Sequence, residues 1–213
     1  MKLSRYPLWP THRAADPSAD DEELRSRVIA AYGTDAVQDD RELTQIVEFA
    51  ARLCDVPVAM VTLVEEHRQR FLARKGFPGG ETARSTSLCA HAMGGEGVMV
   101  VPDASADARF RDMDVVSGEA HVRFYAGQPL VSSEGVPLGA LCVIDREPRP
   151  EGLDALQREG LEVLGRAVMR RLTSERDALH AESQLEVSEL RTRQLAEHLP
   201  VYAWAANAEG ELE

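Results

Sequence analysis

A cysteine stands two residues before a histidine in "SLCAHAM", residues 87–93. Those side chains can form a nucleophile with its base, two metal ligands, an attachment point for a chromophore, or two core residues. Spacing separates these readings. At i and i+2 on a helix, side chains point about 200° apart, whereas on a strand they share a face. The segment "ARSTSLCAHAMGG" offers Ser85 or Thr86 as an N-cap, Ala-rich helix formers, and Gly94–Gly95 as a stop, which predicts a helix. On a helix, Cys89 and His91 do not pair with each other, and the sequence identifies no other base for the thiol. His91 has one obvious nearby donor where a zinc site needs three or four. No catalytic residue and no metal ligand is therefore assigned. Cys89 reads as a core thiol, and His91 as the residue of the two that looks into a pocket.

The elements that position this segment follow from periodicity. Asp20 or Asp21 is placed to cap a first helix carrying Leu24, Val28 and Ile29, with Gly33 as its stop. A second helix in "DDRELTQIVEFAARLC" has Leu43, Ile46, Val47, Ala50, Ala51 and Leu53 on one face. From Pro57 the pattern changes. "VAMVTLV" is apolar on both faces, as in a strand covered on both sides, and "RQRFLARKG" reads as its hairpin partner after the turn Glu65–His67. "GVMVVPDA" is a short strand ending at Pro102. "HVRFYAGQPLVSSEGVPLGALCVID" reads as two strands joined around Ser133–Glu134–Gly135. Five or six short strands between helices predict an α+β domain with a mostly antiparallel sheet. From Leu153 to about Ala196 a proline-free stretch predicts one long helix, its apolar residues thinning beyond Leu179 to Leu185, Val187, Leu190 and Leu195. Leu172 to Leu179 is one heptad before the register breaks, an imperfect coiled-coil pattern that needs a partner chain.

Composition bounds the function. With 213 residues there is room for one domain of ~100–150 residues plus extensions. The formal net charge of −12 argues against general binding to nucleic acid or anionic membranes, because polyanions repel such a surface. Three well-separated cysteines, Cys54, Cys89 and Cys142, make neither a disulfide framework nor a CxxC motif and suit a reducing compartment. No stretch resembles a signal peptide or a membrane span. The expectation is a soluble, cytoplasmic protein.

Five stretches carry a family resemblance: "AARLCDVPVAMVTLVEEHRQRFLARKGF", "ETARSTSLCAHAM", "VMVVPDASADARF", "HVRFYAGQPLVSSEGVPLGALCVIDREPR" and the helix after them. They resemble the GAF domains near the N-termini of bacterial sensor histidine kinases and diguanylate cyclases. The resemblance implies a sheet of about six antiparallel strands, terminal helices on one face that often dimerise, and a small-molecule pocket on the other. It divides the chain into a leader and helix (1–39), a GAF domain (40–172), a signalling or coiled-coil linker helix (173–197) and the truncated start of a PAS domain (198–213), where "LPVYAWAANAEGELE" fits.

GAF domains are sensory or regulatory modules, and most catalyse nothing. The resemblance therefore implies a non-enzymatic, cytoplasmic signalling module, homodimeric through its terminal helices and passing a signal to downstream PAS and output domains. A ligand or a redox event near the pocket would start that signal. The alternative is a structural dimerisation module whose pocket is filled by "VMV", Phe110 and Met113. A bilin photoreceptor is disfavoured, since phytochrome-like domains place His directly after the attachment Cys and this chain has Cys-Ala-His. A GAF-fold methionine sulfoxide reductase needs several cysteines together, and neither Cys54 nor Cys142 can be placed beside Cys89 from sequence. The Asn-Lys…Phe…Asp-Glu motif of cyclic-nucleotide GAF domains is missing, and no cofactor is assigned.

The ligand-facing candidates are Cys89, His91, Asp103, Arg109, Arg123 and Tyr125. Arg123, inside an apolar run, is expected either to pair with a carboxylate, Asp103 or Asp107 first, or to lie on the strand's exposed face. Arg109 belongs near the pocket, with Phe110 in the core. Tyr125 is expected to donate its hydroxyl to a ligand or to a core carbonyl. Gly127 and Gly139 permit close approach of a neighbour.

Overall fold

A computed structural model describes residues 19–198; the leader before them, and residues 199–213 read as a PAS start, lie outside the described residues. Two units are compact in themselves, one ending at Arg176 and one beginning at Asp177.

Helix α1 spans Ala19–Ala31 and helix α2 spans Arg41–Leu53. Strands β1 (Val58–Val64), β2 (Arg68–Lys75) and β3 (Glu81–Ala83) come next. A 3₁₀ turn, Arg84–Thr86, then leads into the short helix α3, Leu88–Ala92. β4 (Met99–Val101), α4 (Asp114–Ser117), β5 (Phe124–Val131), β6 (Pro137–Asp145) and α5 (Ala155–His198) complete the order. The strands form one antiparallel sheet in the order β3-β2-β1-β6-β5-β4. This is the expected α+β architecture.

Two caps differ from the sequence reading. Because α1 begins at Ala19, Asp20 and Asp21 lie inside its first turn and do not cap it. Helix α3 is capped by Ser87, whose hydroxyl accepts from the Ala90 N–H at 3.1 Å, since Ser85 and Thr86 are taken up by the 3₁₀ turn.

One face of the sheet is sealed by helices. Asp40 caps α2 by accepting from the N–H groups of Glu42 (2.9 Å) and Leu43 (3.0 Å), and Arg171 of α5 holds its other oxygen at 3.0 Å. Leu43, Ile46, Val47, Ala50 and Ala51 then pack with Leu161, Val168 and Leu172 on Ala59, Val61 and Leu63 of β1 and Leu141 and Val143 of β6. Full burial of each such Leu, Ile or Val side chain is worth about 1.5–3 kcal/mol. At the start of α5, Asp154 and Gln157 exchange backbone-to-side-chain bonds of 2.7 and 3.1 Å, the reciprocal arrangement of a capping box.

The opposite face carries a second core: Met60 of β1, Phe71 of β2, Cys89, Ala92 and Met93 around α3, Phe110, Val116, Tyr125 of β5, and Ala140, Cys142 and Ile144 of β6. Alternation along β6 therefore sends Ala140, Cys142 and Ile144 to one core and Leu141 and Val143 to the other.

An ion network fastens α1 to the C-terminal end of β1. Arg25, fully buried, donates to the Val64 carbonyl and to the Glu22 carboxylate, and Arg84 holds the same carboxylate at 2.9 Å. Burial alone would raise the Glu22 carboxyl, but Arg25 and then Arg84 hold it below its ordinary range.

Candidate functional site

The second core contains a buried polar cluster. Cys89 lies in α3, and its thiol receives the Tyr125 hydroxyl at 3.3 Å and the Gln69 amide at 3.6 Å. The Cys142 thiol of β6 belongs to the same buried core, and the Thr62 hydroxyl of β1 donates to the Ala140 carbonyl at 3.2 Å. All five of these side chains are buried.

Local structure aims each donor. Ser87 caps α3 and donates to the Gln69 carbonyl oxygen, which leaves the Gln69 NH₂ turned to sulfur. Tyr125 lies over Gly127, where an added Cβ would fall 2.8 and 2.9 Å from its ring carbons and closer still to its hydroxyl oxygen. Gly127 is paired across the ladder with Cys142, so the missing side chain lets the Tyr125 hydroxyl lie along the strand toward the thiols.

These contacts set the electrostatics. The bond from Cys142 first, then those from Thr62, Tyr125 and Gln69, hold the Cys89 thiol below its ordinary range against the opposing effect of burial. Cys142, bonded to Cys89 and buried, is pushed well above the thiol range; burial does the same to Tyr125. Cys54 lies apart, in the helix-side core, where burial pushes its thiol up to about 11.

The other expected site residues are not gathered here. His91 points away from Cys89, half-buried, with its ring edge-on to Phe110 at 5.0 Å between centroids. Burial, then the Arg109 charge, lower its pKa. Arg109 is exposed, bonded to Asp107 at 2.6 and 3.0 Å, and stacked 4.5 Å above the Phe110 ring. Asp103 accepts from Ser105, at 2.6 Å from the hydroxyl and 2.9 Å from the N–H, in an exposed turn. Arg123 does not take Asp103 or Asp107 as its expected partner. It donates to the Val116 and Val122 carbonyls, both at 2.9 Å, and meets His121 Nδ1 at 3.0 Å, because the loop carrying α4 wraps its carbonyls around the guanidinium.

Three cavities adjoin these elements. The one lined by Cys89, Tyr125 and Gln69 is about 30 Å³, far below the roughly 300–1,000 Å³ of small-molecule pockets. Phe71, Phe77, Leu88 and Val115 help to fill it. A second, about 290 Å³, is lined by Phe77, Pro78, Glu119 and Arg146 among others. The largest, about 640 Å³, lies between α1 and the β1–β2 turn and includes Glu65, His67, Arg68 and Arg70. Among the described residues no group of three or more His, Cys, Asp or Glu side chains gathers as metal ligands, and no helix is long and apolar enough to cross a membrane.

Sequence reasoning does not single out Gln69, Thr62, Ser87 or Cys142 as site residues. Thr62 and Gln69 do carry a signal: each is a polar residue at a strand position the alternation assigns to the interior, where polar groups come hydrogen-bonded.

Among known protein families, the GAF domain family matches residues 40–172. A cyclic di-GMP phosphodiesterase of Pseudomonas aeruginosa is 41% identical over 136 residues, which is 64% of this chain and 23% of that relative; the chain thus spans less than a quarter of its length. Among solved structures, a free methionine-R-sulfoxide reductase from Neisseria meningitidis superposes with TM-score 0.52 at 16% identity, over 83% of this chain and 99% of that one. The bacteriophytochrome RpBphP3 of R. palustris superposes with TM-score 0.54 at 12% identity, over 85% and 43% respectively. At such identities these two structures establish the fold and nothing about activity.

Proposed function

The chain belongs to the GAF domain family, and on that premise we propose that it is the sensory or regulatory module of a longer signalling protein, homodimeric and acting through α5. The carrying observation is the α5 surface beyond Asp177. There Leu179 is 37% exposed, Leu190 55%, and Leu185 and Val187 61% each. Leu179 and Leu190 lie eleven residues apart, about three turns, and Val187 falls within roughly a quarter-turn of them, so the three share one side of the helix. A largely polar helix gains by burying such a stripe against a second copy.

The relative named as a cyclic di-GMP phosphodiesterase supports a parent protein whose output acts on that dinucleotide. Downstream PAS and output domains, in a cytoplasmic protein, belong to the same proposal. On this reading the chain itself catalyses nothing.

Sedimentation equilibrium at tens of micromolar tests it: the chain is expected to be a dimer, and Leu179→Glu with Leu190→Glu a monomer of unchanged helicity. A monomeric parent chain overturns the proposal.

One observation favours a second reading, the ligand-free structural module. The space beside Cys89 is too small for a metabolite. A thermal-shift screen with nucleotides and amino acids separates the two: no stabilisation by any compound favours the structural module.

A further inference from the structure

We propose that Cys89 and Cys142 form a redox-modification site that takes a small hydroperoxide, with hydrogen peroxide the fitting member, and closes to an intramolecular disulfide. This deepens the sensory reading and rests on it only for the effect at α5.

Three observations converge. Two free thiols from different elements, α3 and β6, lie in the same buried core, and the Tyr125 hydroxyl that bonds Cys89 lies over Gly127, the ladder partner of Cys142. Around Cys89 the Tyr125 hydroxyl (3.3 Å) and the Gln69 amide (3.6 Å) supply donors where a thiolate's charge would lie. The cavity touching Cys89 is about 30 Å³. One water needs ~10–15 Å³ by the same kind of measure, so the space suits two waters or one hydrogen peroxide and nothing bulkier. The usual objection to a buried thiol is access, and this cavity supplies it for one size of oxidant.

The chemistry balances with that oxidant. The Cys89 thiolate attacks one peroxide oxygen, the O–O bond breaks, and the departing hydroxide takes up the proton that Cys89 lost, leaving as water. Cys89 is now a sulfenic acid. The Cys142 sulfur attacks the Cys89 sulfur, the S–O bond breaks, and a second water leaves with the Cys142 proton. Two thiols and one peroxide become one disulfide and two waters, with two electrons passed to oxygen.

The consequence for the fold comes from β6. Its Cys142 faces the second core, while Leu141 and Val143, on either side in sequence, pack in the helix-side core with Leu161, Val168 and Leu172 of α5. Drawing two free sulfurs held on separate elements into a covalent bond must pull α3 or β6, and a closely packed core does not absorb such a shift locally.

The full reduced chain is exposed to hydrogen peroxide and followed by intact mass and peptide mapping, with an alkyl hydroperoxide as the size control. The expected result is loss of two hydrogens, a Cys89–Cys142 cross-linked peptide, Cys54 still free, and no reaction with the alkyl hydroperoxide. Cys142→Ser is expected to stop at a gain of one oxygen on Cys89, trapped by a sulfenic-acid reagent. Tyr125→Phe, which keeps the ring, is expected to slow the reaction while leaving the product unchanged. Thiols that stay reduced in the folded chain, or oxidation that begins at Cys54, overturn the proposal. Hydrogen exchange of α5 is read on the same samples: a disulfide without a change there leaves this site standing and counts against the sensory reading alone.

Discussion

Replacing Gly127 by alanine is a direct probe of how the thiol cluster is built. The added Cβ falls 2.8 Å from Tyr125 Cζ and 2.9 Å from Cε1, with the hydroxyl oxygen nearer than either, so the Tyr125 side chain must move. It is fully buried between the sheet and α3, and the cavity beside it, about 30 Å³, is too small to take a displaced phenol ring. Overpacking of this kind costs about 1–3 kcal/mol, and loss of the buried hydroxyl's bond to Cys89 adds about 1 kcal/mol. The expected destabilisation is therefore about 2–4 kcal/mol, a drop in melting temperature of roughly 4–16 °C for a chain of this size. The assay is urea unfolding of four proteins: parent, Gly127→Ala, Tyr125→Phe and the double variant. Because the worst contact is with the hydroxyl, the alanine should cost about 1 kcal/mol less in the Tyr125→Phe background, a coupling within the usual range for touching residues. Equal costs in the two backgrounds, or a cost below about 0.5 kcal/mol as for a neutral surface change, would refute the placement of the Tyr125 hydroxyl over Gly127.

Asp40→Ala should destabilise by about 2 kcal/mol or more in thermal unfolding, because it removes both the α2 cap and the Arg171 partner. Arg25→Met should cost several kcal/mol, about 2–4, since it strands the buried Val64 carbonyl and takes one of two cations from Glu22. Glu22 also sets a pH dependence. Its folded-state pKa lies below the ordinary 4.5, so in the interval between them the unfolded chain binds more protons and stability rises with pH. The contribution is complete above the ordinary value and is lost as pH falls through the folded one. Urea midpoints measured from about pH 5 down to about pH 3 should thus fall more steeply for the parent chain than for Glu22→Gln. Cys54, with its thiol at about 11, should resist iodoacetamide at mildly alkaline pH in the folded chain and react on unfolding.

The sheet and its covering helices are legible in the sequence because each rests on a period. "VAMVTLV" is apolar at every position but one and lies buried on both faces as β1, and the spacing from Leu43 to Ala51 is the buried stripe of α2. Caps are legible in kind and displaced in position: the choice among Ser85, Thr86 and Ser87 depends on a 3₁₀ turn that no periodicity announces. Arg25 occupies the place one turn before Ile29 on the buried face of α1. Its residue type hides it, although a cation on an apolar stripe already implies a buried acceptor.

The thiol cluster shows where local reading ends. Cys89 and Cys142 meet because β6 is inserted between β1 and β5 and α3 lies over that part of the sheet, an arrangement carried by long-range pairing. Arg123 shows the same limit from the other side. An arginine in an apolar run needs its N–H groups satisfied, and a carboxylate is the partner a sequence can name. The Val116 and Val122 carbonyls do that work at 2.9 Å once the loop folds over them, and a backbone acceptor has no letter in the sequence. The residues that sequence can nominate, His91, Asp103 and Arg109, are those whose types advertise chemistry. Asp103 and Arg109 lie in turns and His91 half-buried in α3, each already satisfied locally by Ser105, Asp107 or Phe110. The reactive pair is instead two cysteines that read as ordinary core, and only the register of β6 against β5 sets the second beside Tyr125.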